Sequence, residues 1–300
     1  MALETGIYHS LRVARQVDFG YFLTDEYEDV LLHESELAGE TPIVGEMITV
    51  FLYNDHKGRA AATLERPFLE FDDYALLEVM DYSPRMGFFL ENGISKQLLL
   101  PIDQLPTDRD RWPRSNERYR VLAKMTFDKQ GRMLAALVSE ESEIDEFLAK
   151  RETIELPDSR KDFYNGVVIK LMSIGVMVYL PDYNQLGFLH ISEQTHIPRL
   201  GEKISVRVSY TREDGRINLS MKQVREVSRL EDADLILNFL QERGGAMPYS
   251  DNTSPEIIKQ KFKLSKAAFK RALGKLMSER VIYQQDGWTY MTDRNSTDRN

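Results

Sequence analysis

The sequence predicts a mainly β protein: three small closed barrels in tandem, then a C-terminal α+β domain of three helices and a hairpin. Three observations carry this. First, one short pattern recurs three times at the spacing of a small domain. Phe19-Gly20-Tyr21-Phe22-Leu23 leads to Leu31-Leu32-His33-Glu34-Ser35, Met86-Gly87-Phe88-Phe89-Leu90 leads to Leu98-Leu99-Leu100-Pro101-Ile102-Asp103-Gln104-Leu105, and Ile174-Gly175-Val176-Met177-Val178 leads to Gly187-Phe188-Leu189-His190-Ile191-Ser192-Glu193. Second, the segments around each copy alternate apolar and polar residues with a period of two, as half-buried strands do. Third, after Met221 the period becomes 3.6, and helices take over.

The third copy is the most legible. Gly166-Val167-Val168-Ile169 is β-branched and apolar, as a strand should be. Gly175 to Leu180 is a second strand, stopped by the turn dipeptide Pro181-Asp182, and Gly187 to Ile191 is a third. From Lys203 to Tyr210, Ile204, Val206 and Val208 alternate with Ser205 and Arg207, which buries one face. Asp214-Gly215 signals a hairpin, and Arg216 to Met221 is the fifth strand. Five strands in about sixty residues suit a closed barrel of the oligonucleotide-binding (OB) type. The first copy repeats the order with Val44 to Phe51 as fourth strand and a turn at Lys57-Gly58-Arg59, and the second with Glu117 to Phe127 and a turn at Lys129 to Arg132. The barrels are expected over residues 1–64, 65–139 and 162–224, with a linker over 140–161 whose stretch Glu140 to Arg151 is helical.

In the C-terminal part, Leu235, Ile236, Phe239 and Leu240 form one helical face, stopped by Gly244-Gly245. Ser254-Pro255 starts a second helix, with Ile257, Ile258 and Phe262 as its apolar side. Ser265 caps a third, with Phe269, Ala272, Leu273 and Leu276 turned inward and Arg271, Lys275 and Ser278 on the other side. Val281 to Tyr283 and Trp288 to Met291 read as a hairpin. Three helices and a hairpin outline a winged helix-turn-helix over 229–292, followed by a polar tail, 293–300, expected to be disordered.

Composition narrows the function classes. A chain of 300 residues holds two to four domains, and 42% hydrophobic residues fill several modest cores. There is no apolar run of about 18 residues to span a membrane, and Met1-Ala2-Leu3-Glu4 does not open a secretory signal. The absence of cysteine excludes disulfides, thiolate zinc sites and cysteine nucleophiles. A cytoplasmic monomer is expected. The net charge of −9 argues against indiscriminate binding to duplex DNA. It averages over modules, however: between Lys259 and Arg280 eight basic residues face one acidic residue, Glu279.

Gly187-Phe188-Leu189-His190-Ile191-Ser192-Glu193 and Arg216-Ile217-Asn218-Leu219-Ser220-Met221 make the third copy resemble an S1-type RNA-binding domain. The first copy shares Phe19, Gly20, Phe22, His33 and Ser35 with that pattern, and the second keeps Gly87 and Phe89 but has Pro101 in the histidine position. Three such barrels and a winged helix in this order resemble the conserved virulence factor B family of Gram-positive bacteria. The resemblance implies a regulator of gene expression that binds RNA and is not an enzyme.

Barrels of this type hold single strands by stacking bases on surface aromatics and holding phosphates with basic groups. The candidates are Phe19, Phe22 and His33 in the first barrel and Phe188, His190, Arg207 and Arg216 in the third. The plainer alternative is that the phenylalanines are core and the histidines structural. As strand residues, Phe19 and Tyr21 share one face and Phe22 shares the other with Gly20, so the three aromatics cannot all stack bases. Ile174 and Met177 weaken the platform of the third barrel, and the second, with Met86 and Pro101, is expected to bind least and act as a spacer. Lys259, Lys261, Lys263, Lys266, Lys270, Arg271 and Lys275 are candidate phosphate ligands, against the plain reading of a solvated helix face. The expected partner is single-stranded RNA, with DNA or a protein as further possibilities for the winged helix; the alternative functions are a protein-interaction scaffold or a DNA-binding transcription regulator acting through the winged helix. No phosphate loop, H-E-x-x-H or nucleophile elbow is present, and the five histidines lack metal-ligand spacing, so no cofactor, metal or catalytic residue is expected.

Overall fold

The structure, a computed structural model, describes residues 3–292 other than 116, 158, 160, 213, 214 and 224, and the backbone alone for 225–231. The expected tail from Asp293 and residue Asp214 of the third barrel's turn lie outside the described residues. The chain divides into two compact units, Met1–Lys222 and Gln223–Asn300.

The first unit holds three closed barrels. Barrel one comprises β1 (Tyr8–Val17), β2 (Gly20–Thr24), β3 (Asp29–His33), β4 (Met47–Asn54) and β5 (Ala60–Thr63), closed in the order β1-β2-β3-β5-β4. Barrel two repeats this with β6 (Tyr74–Ser83), β7 (Gly87–Leu90), β8 (Leu98–Pro101), β9 (Arg120–Phe127) and β10 (Met133–Leu137). Helix α1 (Glu141–Ala149) follows, and barrel three then repeats the order with β11 (Tyr164–Met172), β12 (Gly175–Leu180), β13 (Gln185–His190), β14 (Lys203–Thr211) and β15 (Ile217–Ser220). In each barrel the third and fifth strands pair in parallel and the other neighbours are antiparallel. Closure removes the free edges that would otherwise template aggregation.

Two local devices recur. The glycine of each repeat lies where two strands nearly touch. A Cβ on Gly20 would stand 2.2 Å from the Leu32 carbonyl oxygen, and one on Gly87 would stand 2.0 Å from that of Leu100. Each first strand also carries a bulge, between Val13 and Arg15, Val79 and Asp81, and Val168 and Lys170. A one-residue slip moves side chains to the opposite face. Without it Arg15 would oppose buried Tyr21; with it Arg15 opposes Phe22, Asp81 opposes Phe89 and Lys170 opposes Met177. The bulge keeps a charged residue out of each core.

The barrels are fused through their outer faces. Leu11, Val13, Leu23, Leu32, Val50 and Leu52 fill barrel one, while Phe51 and Tyr53, on the other side of β4, belong to the core of barrel two. The backbone N–H of Met133 donates to Asn54 Oδ1 at 3.0 Å across that junction. Between barrels two and three, α1 is a wedge. Its Ile144 and Phe147 join Leu122 of β9 and Val167, Ile169 and Tyr179 of barrel three in one cluster.

The second unit packs α2 (Arg225–Glu242), α3 (Pro255–Phe262) and α4 (Lys266–Ser278) on a sheet of β16 (Ala246–Met247), β17 (Ile282–Gln285) and β18 (Trp288–Met291), in the order β16-β18-β17. Ser265 Oγ caps α4 by accepting from the Ala268 N–H at 3.2 Å. Ile236, Leu240, Ile258, Phe262, Phe269 and Leu273 form the core. Leu235 and Ile257, which the apolar pattern puts on the inner faces, are exposed, each one residue round the helix from a fully buried isoleucine. The two-residue β16 turns the expected hairpin into a three-stranded sheet; two residues are too few to show a period.

Candidate nucleic-acid interface

In barrel one the candidate aromatics meet at the surface. Phe19 lies just before β2 rather than in it, so it does not follow Tyr21 into the core. Tyr21 is buried, while Phe19 is 46% exposed and its ring packs edge-on against Phe22, with centroids 6.5 Å apart. The expected sharing of a face by Phe19 and Tyr21 is therefore wrong: the strand begins one residue later. Arg15, which sequence reading missed, places its guanidinium 4.2 Å over the Phe22 ring and donates to Asp29 Oδ2 at 2.7 Å. That hydrogen bond holds the Asp29 carboxyl below its ordinary range. The bulge that brings Arg15 to Phe22 leaves no mark on the apolar pattern.

His33 ends β3 opposite Gly20. Its Nδ1 accepts from the Ser35 N–H at 3.2 Å and lies 2.8 Å from Ser35 Oγ, capping a 3-10 turn. An accepting Nδ1 puts the ring proton on Nε2. His190 repeats this with Ser192 at the same two distances, opposite Gly175. Each histidine is thus a cap and an exposed donor at once.

The same register positions differ by barrel. The residue before the glycine is Phe19, Met86 or Ile174, at 46%, 49% and 56% exposure. The residue opposite the third residue of β2, β7 or β12 (Phe22, Phe89 or Met177) is Arg15, Asp81 or Lys170. Barrel two therefore combines a carboxylate with Pro101 where its neighbours carry a cation and a histidine. Its aromatics gather elsewhere: Tyr82, Phe88 and Trp112 pack together beside Arg109, Arg114 and Arg199 around a cavity of about 380 Å³.

Barrel three carries a larger groove of about 520 Å³, lined by Ile174, Met177, Phe188, Arg212, Arg216 and Asn218 on the barrel and by Glu141 and Asp145 of α1. Phe188 and Arg216 are thus brought together. His190 lies beyond them, its ring 6.2 Å from Phe188. Arg207 is not among the lining residues. Its Nε donates to the Lys222 carbonyl at 2.5 Å, and the Lys222 ammonium donates to the Ser192 carbonyl beside His190. Sequence reading misses Arg212 and Asp145, and takes Glu141 for a solvated linker residue, because the groove is assembled from three separate stretches of chain.

In the second unit Lys259, Lys261, Lys263, Lys266, Lys270 and Arg271 are exposed and Lys275 is half-buried. Local counting overstates their surplus. Lys270 lies 3.7 Å from Asp251, Lys275 lies 3.7 Å from Glu279, and Arg271 acts on Asp232, opposing the upward push of burial on that carboxyl. Tyr283 and Trp288 are exposed and stack on either side of Tyr290, at 5.2 and 6.3 Å, on the sheet face away from buried Thr289. Trp288 and Tyr290 were legible as an alternating pair; Tyr283 joins them only through strand pairing. Among the described residues no group of three or more His, Asp or Glu side chains is placed to hold a metal, and no helix is long and apolar enough to cross a membrane.

Comparison with known proteins agrees with this fold. Residues 5–65 match the S1 domain family, residues 74–136 the CvfB first S1-like domain, residues 157–223 the second domain of the virulence regulatory factor CvfB, and residues 234–291 the CvfB-like winged helix domain. The chain is 37% identical over 289 residues to the protein YitL of Bacillus subtilis (strain 168), covering 96% of this chain and 94% of YitL. It is 30% identical over 272 residues to Conserved virulence factor B of Staphylococcus saprophyticus, covering 89% and 87%. The crystal structure of a multidomain protein with nucleic acid binding domains from Streptococcus pneumoniae superposes with a TM-score of 0.64 at 27% identity, covering 96% of this chain and 98% of that one. Its barrels and winged helix are domains of nucleic-acid-binding type, and with matches in all four domains the chain belongs to the conserved virulence factor B family.

Proposed function

We propose that this protein is a cytoplasmic regulator of gene expression, acting as a monomer that holds single-stranded RNA through barrels one and three and the basic winged helix. One observation carries the reading. Barrels one and three each present, at matching register, an exposed apolar or aromatic residue, a histidine with Nε2 as donor, and a cation opposite the platform. Flat apolar groups stack bases, and cations and ring N–H donors hold phosphates and base edges. Asp81 and Pro101 break the set in barrel two, which supports a spacer role for that face. The stacked Tyr283, Tyr290 and Trp288 favour a contact surface on the wing as well, for nucleic acid or for a protein.

The test is binding of the intact chain, and of a chain ended after Lys222, to a mixed-sequence single-stranded RNA at two salt concentrations. Salt-sensitive binding by the intact chain is expected, weaker after truncation. Absence of such binding overturns the proposal, and equal binding by the truncated chain removes the winged helix from it.

A further inference from the structure

Resting on the reading that barrel three holds single-stranded RNA, we propose that α1 makes its groove a guanine-selective base site, read by the Asp145 and Glu141 carboxylates. The groove's barrel wall is apolar, from Ile174, Met177 and Phe188, and its volume of about 520 Å³ accommodates one nucleoside. Arg212 supplies a cation along the same groove, suited to a flanking phosphate. The opposite wall is α1, whose Glu141 and Asp145 are four residues apart and so share one helix face.

The helix itself is held in place by contacts to both neighbouring barrels. Phe147 is buried against Tyr179 at 5.1 Å between ring centroids. Tyr74 donates to Glu146 at 2.9 Å, Lys124 pairs with Glu143, and Lys150 meets Asp73 at 2.6 Å. Asn184 donates to the carbonyls of Leu148 and Arg151 at 2.9 and 3.0 Å. Carboxylates beside a polyanion weaken its binding unless they accept hydrogen bonds from it. RNA offers two kinds of donor, the ribose 2′-hydroxyl and the N–H groups of the bases, and only the second kind differs from base to base.

The four bases differ in what they present to a carboxylate. Guanine places N1–H and N2–H side by side, matching both oxygens. Adenine and cytosine offer an amino group beside a ring nitrogen that is itself an acceptor. Uracil offers one N–H between two carbonyls. Ionised acceptors make the stronger hydrogen bonds, and a bidentate pair gains in specificity. Guanine is therefore preferred and uracil is bound worst.

The experiment measures binding of the intact chain to short single strands, about six nucleotides long, identical except for one central G, A, C or U. The wild type is compared with Glu141→Gln, Asp145→Asn and the double variant. Both residues are exposed, so unchanged melting temperatures are expected. The wild type should bind the G strand about tenfold more tightly than the U strand, and the double variant should reduce that ratio to about twofold or less. Three results overturn the proposal: no preference among the four strands, a guanine preference that survives the double variant, or equal tightening of all four by the double variant, which would make the carboxylates simple repellents. If the wild type binds none of the strands, nor a longer single strand, the reading of barrel three falls with it; binding without base preference leaves that reading standing.

Discussion

Phe22 is the residue on which barrel one turns. It touches Phe19 at its edge and Arg15 over its face, so removing it takes away a stacking surface and the platform that orients a cation. Phe22→Ala is predicted to weaken binding of a short single strand at barrel one by about 1–3 kcal/mol, the worth of one stacked base. Met86→Ala in barrel two should change it little, and NMR titration of both variants, followed at barrel-one resonances, checks the contrast. Asp29→Asn removes the partner that holds Arg15. It is predicted to tighten RNA binding and to steepen the salt dependence by about one phosphate contact. Phe19, Phe22 and His33 are legible in the sequence because they sit at fixed offsets from a glycine that tolerates no side chain. Arg15 is not legible, because a bulge moves it one residue out of the simple alternation. Nor is the exposure of Phe19, because the strand starts at Gly20 and the residue before it escapes the period of two.

Among the elements, α1 shows the same division. The sequence places a helical stretch at Glu140 to Arg151 of the linker, and the structure has a helix at Glu141–Ala149. Its docking was not legible, since the groups that hold it, Tyr74, Lys124, Tyr179 and Asn184, lie far away in sequence and on two barrels. Phe147→Ala is predicted to destabilise the first unit by about 3–5 kcal/mol in denaturant unfolding, the usual cost of emptying a buried phenylalanine site. Tyr74 adds a pH test. Burial, and then the Glu146 carboxylate accepting from its hydroxyl, push its pKa up from 10.0 to about 12. A group raised in the folded state contributes stability that is whole below the unfolded value and lost as pH rises through the folded one. Between about pH 10 and 12 the wild type should therefore lose stability that Tyr74→Phe does not, measured as melting temperature against pH.

At the scale of the whole molecule, the repeat and the change of period after Met221 made the architecture legible, but not the fusion of three barrels into one unit, because the outward residues of β4 read as ordinary strand residues. The repeat also suggests equal sites, and the register positions show unequal ones. Several weak sites on one chain bind a long strand more tightly than any binds alone, since each later contact is made at high effective concentration. This gives a prediction about length. A guanine-free strand of about six nucleotides fills one of several comparable sites at a time, so losing one of them should cost no more than about twofold in overall binding. A strand of about forty nucleotides engages several, so each loss should multiply. Phe22→Ala in barrel one and the Lys266→Ala, Arg271→Ala pair in the winged helix are predicted each to weaken the long strand by about tenfold, and together by roughly a hundredfold. If the combined variant binds the long strand no worse than either parent, the two units do not act on one RNA. The winged helix would then serve a different partner, most simply through the stacked aromatics of its wing.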